Sequence, residues 1–253
     1  MSDLIKDEVE VFSDLEALSR AAAERLVQLA RTAVTERGRF DLVLAGGSTP
    51  RRLYELLAGE YGDNIAWHQV HLFWGDERCV PPDRPQSNFK LAQETLISRV
   101  PLPAENVHRI PAELEPPREA AAAYERLLRS HWPQAAWPAF DLVLLGLGAD
   151  GHTASLFPGD PVLEEQESWV RAVLAPPAYE IRQRITLTFL AINSARAIYF
   201  LVSGEVKVPA LHAVLEQNGS ALPASRVRPA EGEPRWFLDE AAAERLQRAQ
   251  GGR

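Results

Sequence analysis

One cysteine, Cys79, in 253 residues leaves no partner for an intrachain disulfide and excludes a cysteine cage for zinc. Positive charge is in deficit: 27 Lys and Arg against 35 Asp and Glu give a net charge of −8, with no basic cluster. Nucleic acid and an anionic membrane surface are therefore poor partners. No apolar stretch approaches the ~18 residues of a membrane span. The first thirty residues are acidic and alanine-rich, without a basic segment leading into an apolar run, so no signal peptide is expected. Solenoid-period repeats and low-complexity segments are also missing. What is present is ordinary for a folded chain: 46% hydrophobic and 25% charged residues argue against disorder. A chain of this length buries about three quarters of its surface, so the core needs no covalent staples. The expectation is one domain spanning 1–253, cytoplasmic, and a monomer or weak dimer.

The apolar residues fall into alternating short runs and helical stripes. Ser13 with Glu16 reads as a capping box ahead of Leu15, Leu18, Ala22, Leu26, Leu29 and Ala33, and Gly38 is the stop signal. Leu42 to Ala45 is too short for a helix and does not alternate, which suits a strand covered on both faces. It breaks into Gly46-Gly47-Ser48-Thr49-Pro50, where Pro50 fits a first helical turn capped by Ser48 or Thr49. The theme repeats. Strands are expected at Val70 to Trp74, Leu142 to Leu145, Ile198 to Val202 and Trp236 to Leu238. Helices are expected from near Ser87, from Arg118 to Ser130, through Val206 to Leu215, and after a capping Asp239. Proline-rich stretches at 80–85 and 111–117 read as surface loops. Strands alternating with helices predict an α/β fold, with a mainly parallel sheet and helices on both faces.

In such a sheet, ligands bind beyond the carboxyl ends of the strands. Four loops at those ends combine glycine with polar residues: Gly46 to Arg52, Gly75 to Arg78, Gly148 to His152, and Gly204 to Lys207. The first has a phosphate-binding composition, because glycine lets an oxyanion approach the backbone and the following helix offers free N–H groups. It matches neither the Walker pattern nor the dinucleotide fingerprint, so ATP and NAD are disfavoured. Arg78 and Lys207 are the cations best placed to complete an anion site. Asp76 and Glu77 could instead simply pair with Arg78.

His152 is the one histidine in a glycine-flanked loop directly after an apolar strand, and it suits a general base near neutrality. Asp150 is placed to orient it. No HxxxH or HxH pairing lies nearby, so no metal is expected. The other five histidines look structural. Cys79 lacks a partner base, and Ser48 and Ser155 lack the GxSxG elbow, so covalent acyl-enzyme chemistry has little support. Trp132 and Trp137, beside prolines, suit either an interface or the core.

The segments LAGGSTPRRLYELL (44–57), WGDERCVPPDRPQSNF (74–89) and GLGADGHTASLFPG (146–159) together resemble the 6-phosphogluconolactonase family. RITLT (184–188), SGEVK (203–207), LPASRV (222–227) and WFLDEAAA (236–243) add weaker matches, in family order and over almost the whole chain. The resemblance implies a modified Rossmann-like sheet of the deaminase and ribose-5-phosphate isomerase superfamily. It also implies a sugar-phosphate lactone as substrate, hydrolysis as the reaction, and no metal or organic cofactor. By motif position His152 matches the family's general base, and Asp76, Arg78 and Lys207 match substrate-contacting residues. Gly46, Gly47 and Ser48 match the loop that cradles substrate. The related deaminases carry DEY and GIGxDGHIAFNEP patterns; this sequence reads Asp76-Glu77-Arg78 and HTASLFPG, departing from both.

Overall fold

The computed structural model describes residues 8–216 and 221–246. A parallel six-stranded sheet forms the centre. It comprises β1 (Glu8–Phe12), β2 (Phe40–Leu44), β3 (Val70–Trp74), β5 (Leu142–Leu145), β8 (Ala197–Val202) and β9 (Arg235–Asp239), in the order β1-β9-β8-β5-β2-β3. Every residue of β2 and β5 is buried, which requires cover on both faces and accounts for their unbroken apolar runs. The cover comes from α1 (Leu15–Arg37), α2 (Ser48–Ala58), α3 (Asn88–Thr95), α4 (Pro117–His131), α5 (Phe189–Asn193) and α6 (Val208–Leu215).

A second sheet was not anticipated. β4 (Asp76–Arg78), β7 (Gln183–Leu187) and β6 (Val170–Leu174) form an antiparallel unit in the order β4-β7-β6. It joins the large sheet at Gly75, whose N–H donates to Leu44 O at 3.1 Å while its carbonyl accepts from Leu187 N at 2.8 Å. β4 is only three residues long, too short to produce an alternation signal. β1 (EVEVF) was missed because its glutamates obscure the apolar positions.

Several local expectations are corrected. Asp14, not Ser13, caps α1, accepting from Ala17 N at 2.8 Å; Gly38 does end it, at φ 75°. Glu16 is engaged instead by Arg20 and Arg52. The N-cap of α2 is Gly47, at φ 100°, and Ser48 and Thr49 lie inside the helix. A left-handed cap excludes side chains, so the first amides of α2 have no side-chain cap. Ser87 caps α3 as expected. After Asp239 the chain makes turns over 240–246 rather than a regular helix, and the rest of that segment lies outside the described residues. Among the described residues no helix is long and apolar enough to cross a membrane.

Three tryptophans, Trp74, Trp169 and Trp236, are fully buried, and Trp132 and Trp137 pack partly buried against the core. Two buried tyrosines secure the ends of β2 and of the edge strand β3. Tyr54 of α2 accepts from Ala45 N and donates to Ala45 O, and Tyr124 of α4 does the same at Trp74. Each pairs backbone groups at a strand end, just past β2 or on the outer edge of β3, that would otherwise be buried unpaired.

Candidate active site

All four glycine-polar loops open into one cavity of about 440 Å³ at the carboxyl edge of the sheet. Gly46, Gly47, Ser48, Asp76, Arg78, His152 and Lys207 all line it. Asp150 stands behind His152 rather than on the wall. The α2 N-terminus, left uncapped by Gly47, faces the cavity through Ser48 and Thr49. Free N–H groups and the positive end of the helix dipole therefore meet at the wall.

The histidine loop is held by its own backbone. Gly148 N donates to His152 O at 2.8 Å, Gly151 N donates to Gly148 O at 3.0 Å, and Gly151 adopts φ 83°. His152 Nδ1 lies 2.5 Å from Asp150 Oδ1. Burial works against the Asp150 charge, but the hydrogen bond and charge of His152 outweigh it, bringing the carboxyl down to about 2. An ionised carboxylate only accepts, so Nδ1 carries the proton and Nε2 is the basic nitrogen. Among the described residues Nε2 has no protein hydrogen-bond partner. The ring packs against Phe157 (centroids 4.8 Å apart) and edge-on to Tyr179 (5.6 Å).

Asp76 and Glu77 do not pair with Arg78. Glu77 is buried and accepts from Ser87 Oγ and from the amides of Arg78, Asn88 and Phe89, which ties β4 to the start of α3. Burial raises its pKa, against those hydrogen bonds. Asp76 Oδ2 accepts from Ser155 Oγ at 2.6 Å and Oδ1 from Asn88 Nδ2 at 3.1 Å, which leaves its remaining lone pairs toward the cavity. Arg78 donates from Nη1 to Gln86 O at 2.6 Å, while its buried Nε has no partner.

Directly across the antiparallel β4–β7 pair from Arg78 sits Arg184, which sequence reasoning passed over. It also lines the cavity, is 7% exposed, and donates from Nε to Ile181 O. Burial, then the charge of Arg78, lowers its pKa. Like charges on facing strand positions oppose folding, and among the described residues neither arginine forms a salt bridge. The signal for Arg184 was the short RITLT motif, whose first residue acquires meaning only when β7 pairs with β4. Lys207, positioned after β8, has its pKa lowered by burial, opposed by the charge of Asp150. Its loop is pinned by Asp239, which accepts from Ser203 Oγ, Gly204 N and Ala242 N. Three cations, a helix N-terminus and one imidazole thus face a common space. Among the described residues no group of three or more His, Cys, Asp or Glu is arranged to hold a metal.

The fold and this cavity define an α/β protein in which three cations and a helix N-terminus face the same pocket as a histidine. A sequence model described as glucosamine-6-phosphate isomerases/6-phosphogluconolactonase matches residues 13–236, and the chain belongs to that family. A 6-phosphogluconolactonase of Nostoc is 39% identical over 246 residues, covering 96% of this chain and 99% of the relative. A chloroplastic 6-phosphogluconolactonase of Arabidopsis thaliana is 39% identical over 250 residues, covering 95% and 76%. The solved 6-phosphogluconolactonase of Trypanosoma brucei superposes with a TM-score of 0.86 at 28% identity, covering 96% of this chain and 100% of that one. These likenesses support an enzyme on the lactonase side of the family, a hydrolase.

Proposed function

We propose that the chain hydrolyses 6-phospho-D-glucono-1,5-lactone to 6-phospho-D-gluconate, a step of the oxidative pentose phosphate pathway. His152 Nε2 takes a proton from the water that attacks C1. The tetrahedral oxyanion collapses, the C1–ring-oxygen bond breaks, and the imidazolium returns the proton to the departing ring oxygen. Asp150 holds the imidazole in the required tautomer and balances its transient charge. Arg78, Arg184, Lys207 and the amides of Gly47 to Thr49 bind the 6-phosphate, and Asp76 accepts from a sugar hydroxyl. The phosphate lies away from the bond being broken, so its binding energy positions the ring.

The observation that carries this reading is the shared cavity. A histidine with a free Nε2 and a paired Nδ1 faces the same space as cations without carboxylate partners. A phosphorylated lactone needs both.

The test is a coupled assay with freshly generated lactone, corrected for spontaneous opening and run beside the unphosphorylated lactone. Turnover of the phosphorylated substrate should dominate, and His152→Ala should lower kcat by roughly 10²–10⁴-fold with little change in KM. Near-parental turnover by His152→Ala would remove the base assignment. The cytoplasmic location and the monomer or weak dimer belong to the same reading. Cell fractionation tests the former, since an Arabidopsis relative is named chloroplastic, and sedimentation tests the latter.

A further inference from the structure

We propose that Tyr179 is a positioning residue that holds Asp150 in place, and through it sets the orientation and basicity of His152. The inference rests on His152 being the general base. Tyr179 sits in the β6–β7 hairpin loop, far in sequence from the histidine loop. That hairpin is closed by Ala175 N donating to Arg182 O at 2.7 Å, and Tyr179 N donates to Pro176 O at 3.1 Å. Pro176 and Pro177 stiffen the approach.

The tyrosine hydroxyl lies 3.2 Å from Asp150 Oδ2 and 3.2 Å from His152 Nδ1. Asp150 is ionised, so the hydroxyl donates to Oδ2, and its oxygen lone pairs face the Nδ1–H that Asp150 Oδ1 also receives. The three groups form a closed ring. Without the tyrosine, Asp150 is held only through Oδ1, by His152 Nδ1 and by His152 N at 3.2 Å. Its side chain is 37% exposed, so a carboxylate gripped at one oxygen can turn and admit water. The aromatic ring closes the other approach, standing edge-on to His152 at 84° and against Phe157 at 5.2 Å.

The hydroxyl also affects basicity. A donor on Oδ2 draws charge from the carboxylate and weakens its support of an imidazolium. Removing it leaves more charge on Oδ1, the oxygen that holds the imidazole. The other charged groups lining the space around the imidazole are Arg184 of β7, Asp76 and Arg78 of β4, and Lys207 after β8. All four persist in Tyr179→Phe.

The experiment compares the parent protein, Tyr179→Phe and His152→Ala, with pH profiles of kcat and a 15N NMR titration of the His152 ring. Tyr179→Phe keeps the ring and loses one hydrogen bond to an ionised carboxylate, so kcat should fall roughly tenfold, the low end for a bond to a charged group. Tyr179 also lines the cavity, but its hydroxyl is engaged by Asp150 rather than turned to substrate, so KM should stay within about twofold. The acidic limb of kcat and the NMR titration should both depart from the parental position, which a role in packing alone would not produce. If His152→Ala is inactive while Tyr179→Phe retains parental kcat and profile, or changes KM alone, the role of Tyr179 is overturned and the base assignment stands. If His152→Ala keeps its turnover, both fall.

Discussion

Arg184 illustrates how a single residue acquires a role from its neighbours. Alone it is a strand arginine in an alternating segment. Opposite Arg78, buried and, among the described residues, with no carboxylate in ion-pair range, it becomes half of a pair of cations facing one cavity. In the proposed function, a dianionic phosphate would relieve their repulsion and offer oxygens to both forks. Arg184→Ala is expected to raise KM by about 10–100-fold, the range of one or two charge-assisted hydrogen bonds, with kcat changed less than threefold. Arg78→Ala and Lys207→Ala should act in the same direction, read from initial rates across substrate concentration. An effect of Arg184→Ala on kcat alone would place it at the reacting carbon rather than the phosphate. His152, by contrast, was legible from the sequence, because a glycine-flanked histidine after an apolar strand is a local signal. Arg184 and Tyr179 were not, because each matters only through a contact with a distant segment.

The loops are the elements in which backbone and chemistry are most closely linked. Gly148 adopts an ordinary backbone conformation, yet a Cβ there would fall 1.9 Å from His152 Nδ1 and 2.6 Å from Asp150 Oδ1. Gly46 is under the same constraint from Asn88, at 1.9 Å from Oδ1. Gly148→Ala should therefore displace the His152–Asp150 pair and lower kcat by at least about 100-fold, the scale of lost base catalysis. The fold itself should survive, with Tm reduced by only about 2–4 °C. An active, normally folded Gly148→Ala would show that the imidazole adapts. The strand-to-helix turns were readable from sequence as glycine-polar breaks. Their capping was not: Ser48 and Thr49 are good capping types, but the left-handed Gly47 moves the boundary one residue earlier. Glu77 was misplaced for a related reason. Adjacency to Arg78 suggests an ion pair, whereas the extended β4 directs Glu77 onto the amides of α3.

At the scale of the molecule, the site edge of the sheet is polar and open, while another cluster ties stability to pH. His71 and His108, expected to be unremarkable, stack on each other, and His131, expected to be so too, stands edge-on to both beside Phe73 and Trp132. Burial, then the charges of Arg39 and His131, takes His71 down to about 4; burial and the neighbouring histidines take His108 down to about 3; burial also lowers His131. The unfolded chain takes up these protons near pH 6.5 and the fold resists them. Their stabilisation is therefore complete above about pH 6.5 and is lost as pH falls toward 4 and 3. Asp41 runs the other way: burial raises it to about 6, so between about pH 4 and 6 the fold holds a proton that the unfolded chain releases. Buried Glu77, also raised, acts with Asp41, but the three histidines together with the lowered Asp150 should leave a net loss in acid. Thermal melts from pH 7 to 4 should show Tm falling, and His108→Gln should make the decline shallower by about 2–4 °C. A decline of equal slope in the variant would dissociate this cluster from acid stability.

What the sequence by itself determined is the part governed by local chemistry. Unbroken apolar runs required strands buried on both faces, glycine-polar breaks located the turns, and alternation with helical stripes required parallel crossovers. The resemblance carried on three motifs extended this to the family. Tertiary structure alone decided which distant residues share a surface: Arg184 with Arg78, Tyr179 with Asp150, Asp239 with the Lys207 loop. Local propensity acts over a turn of chain, whereas these pairings depend on strand register and on how two sheets meet at Gly75, which are properties of packing across the whole molecule.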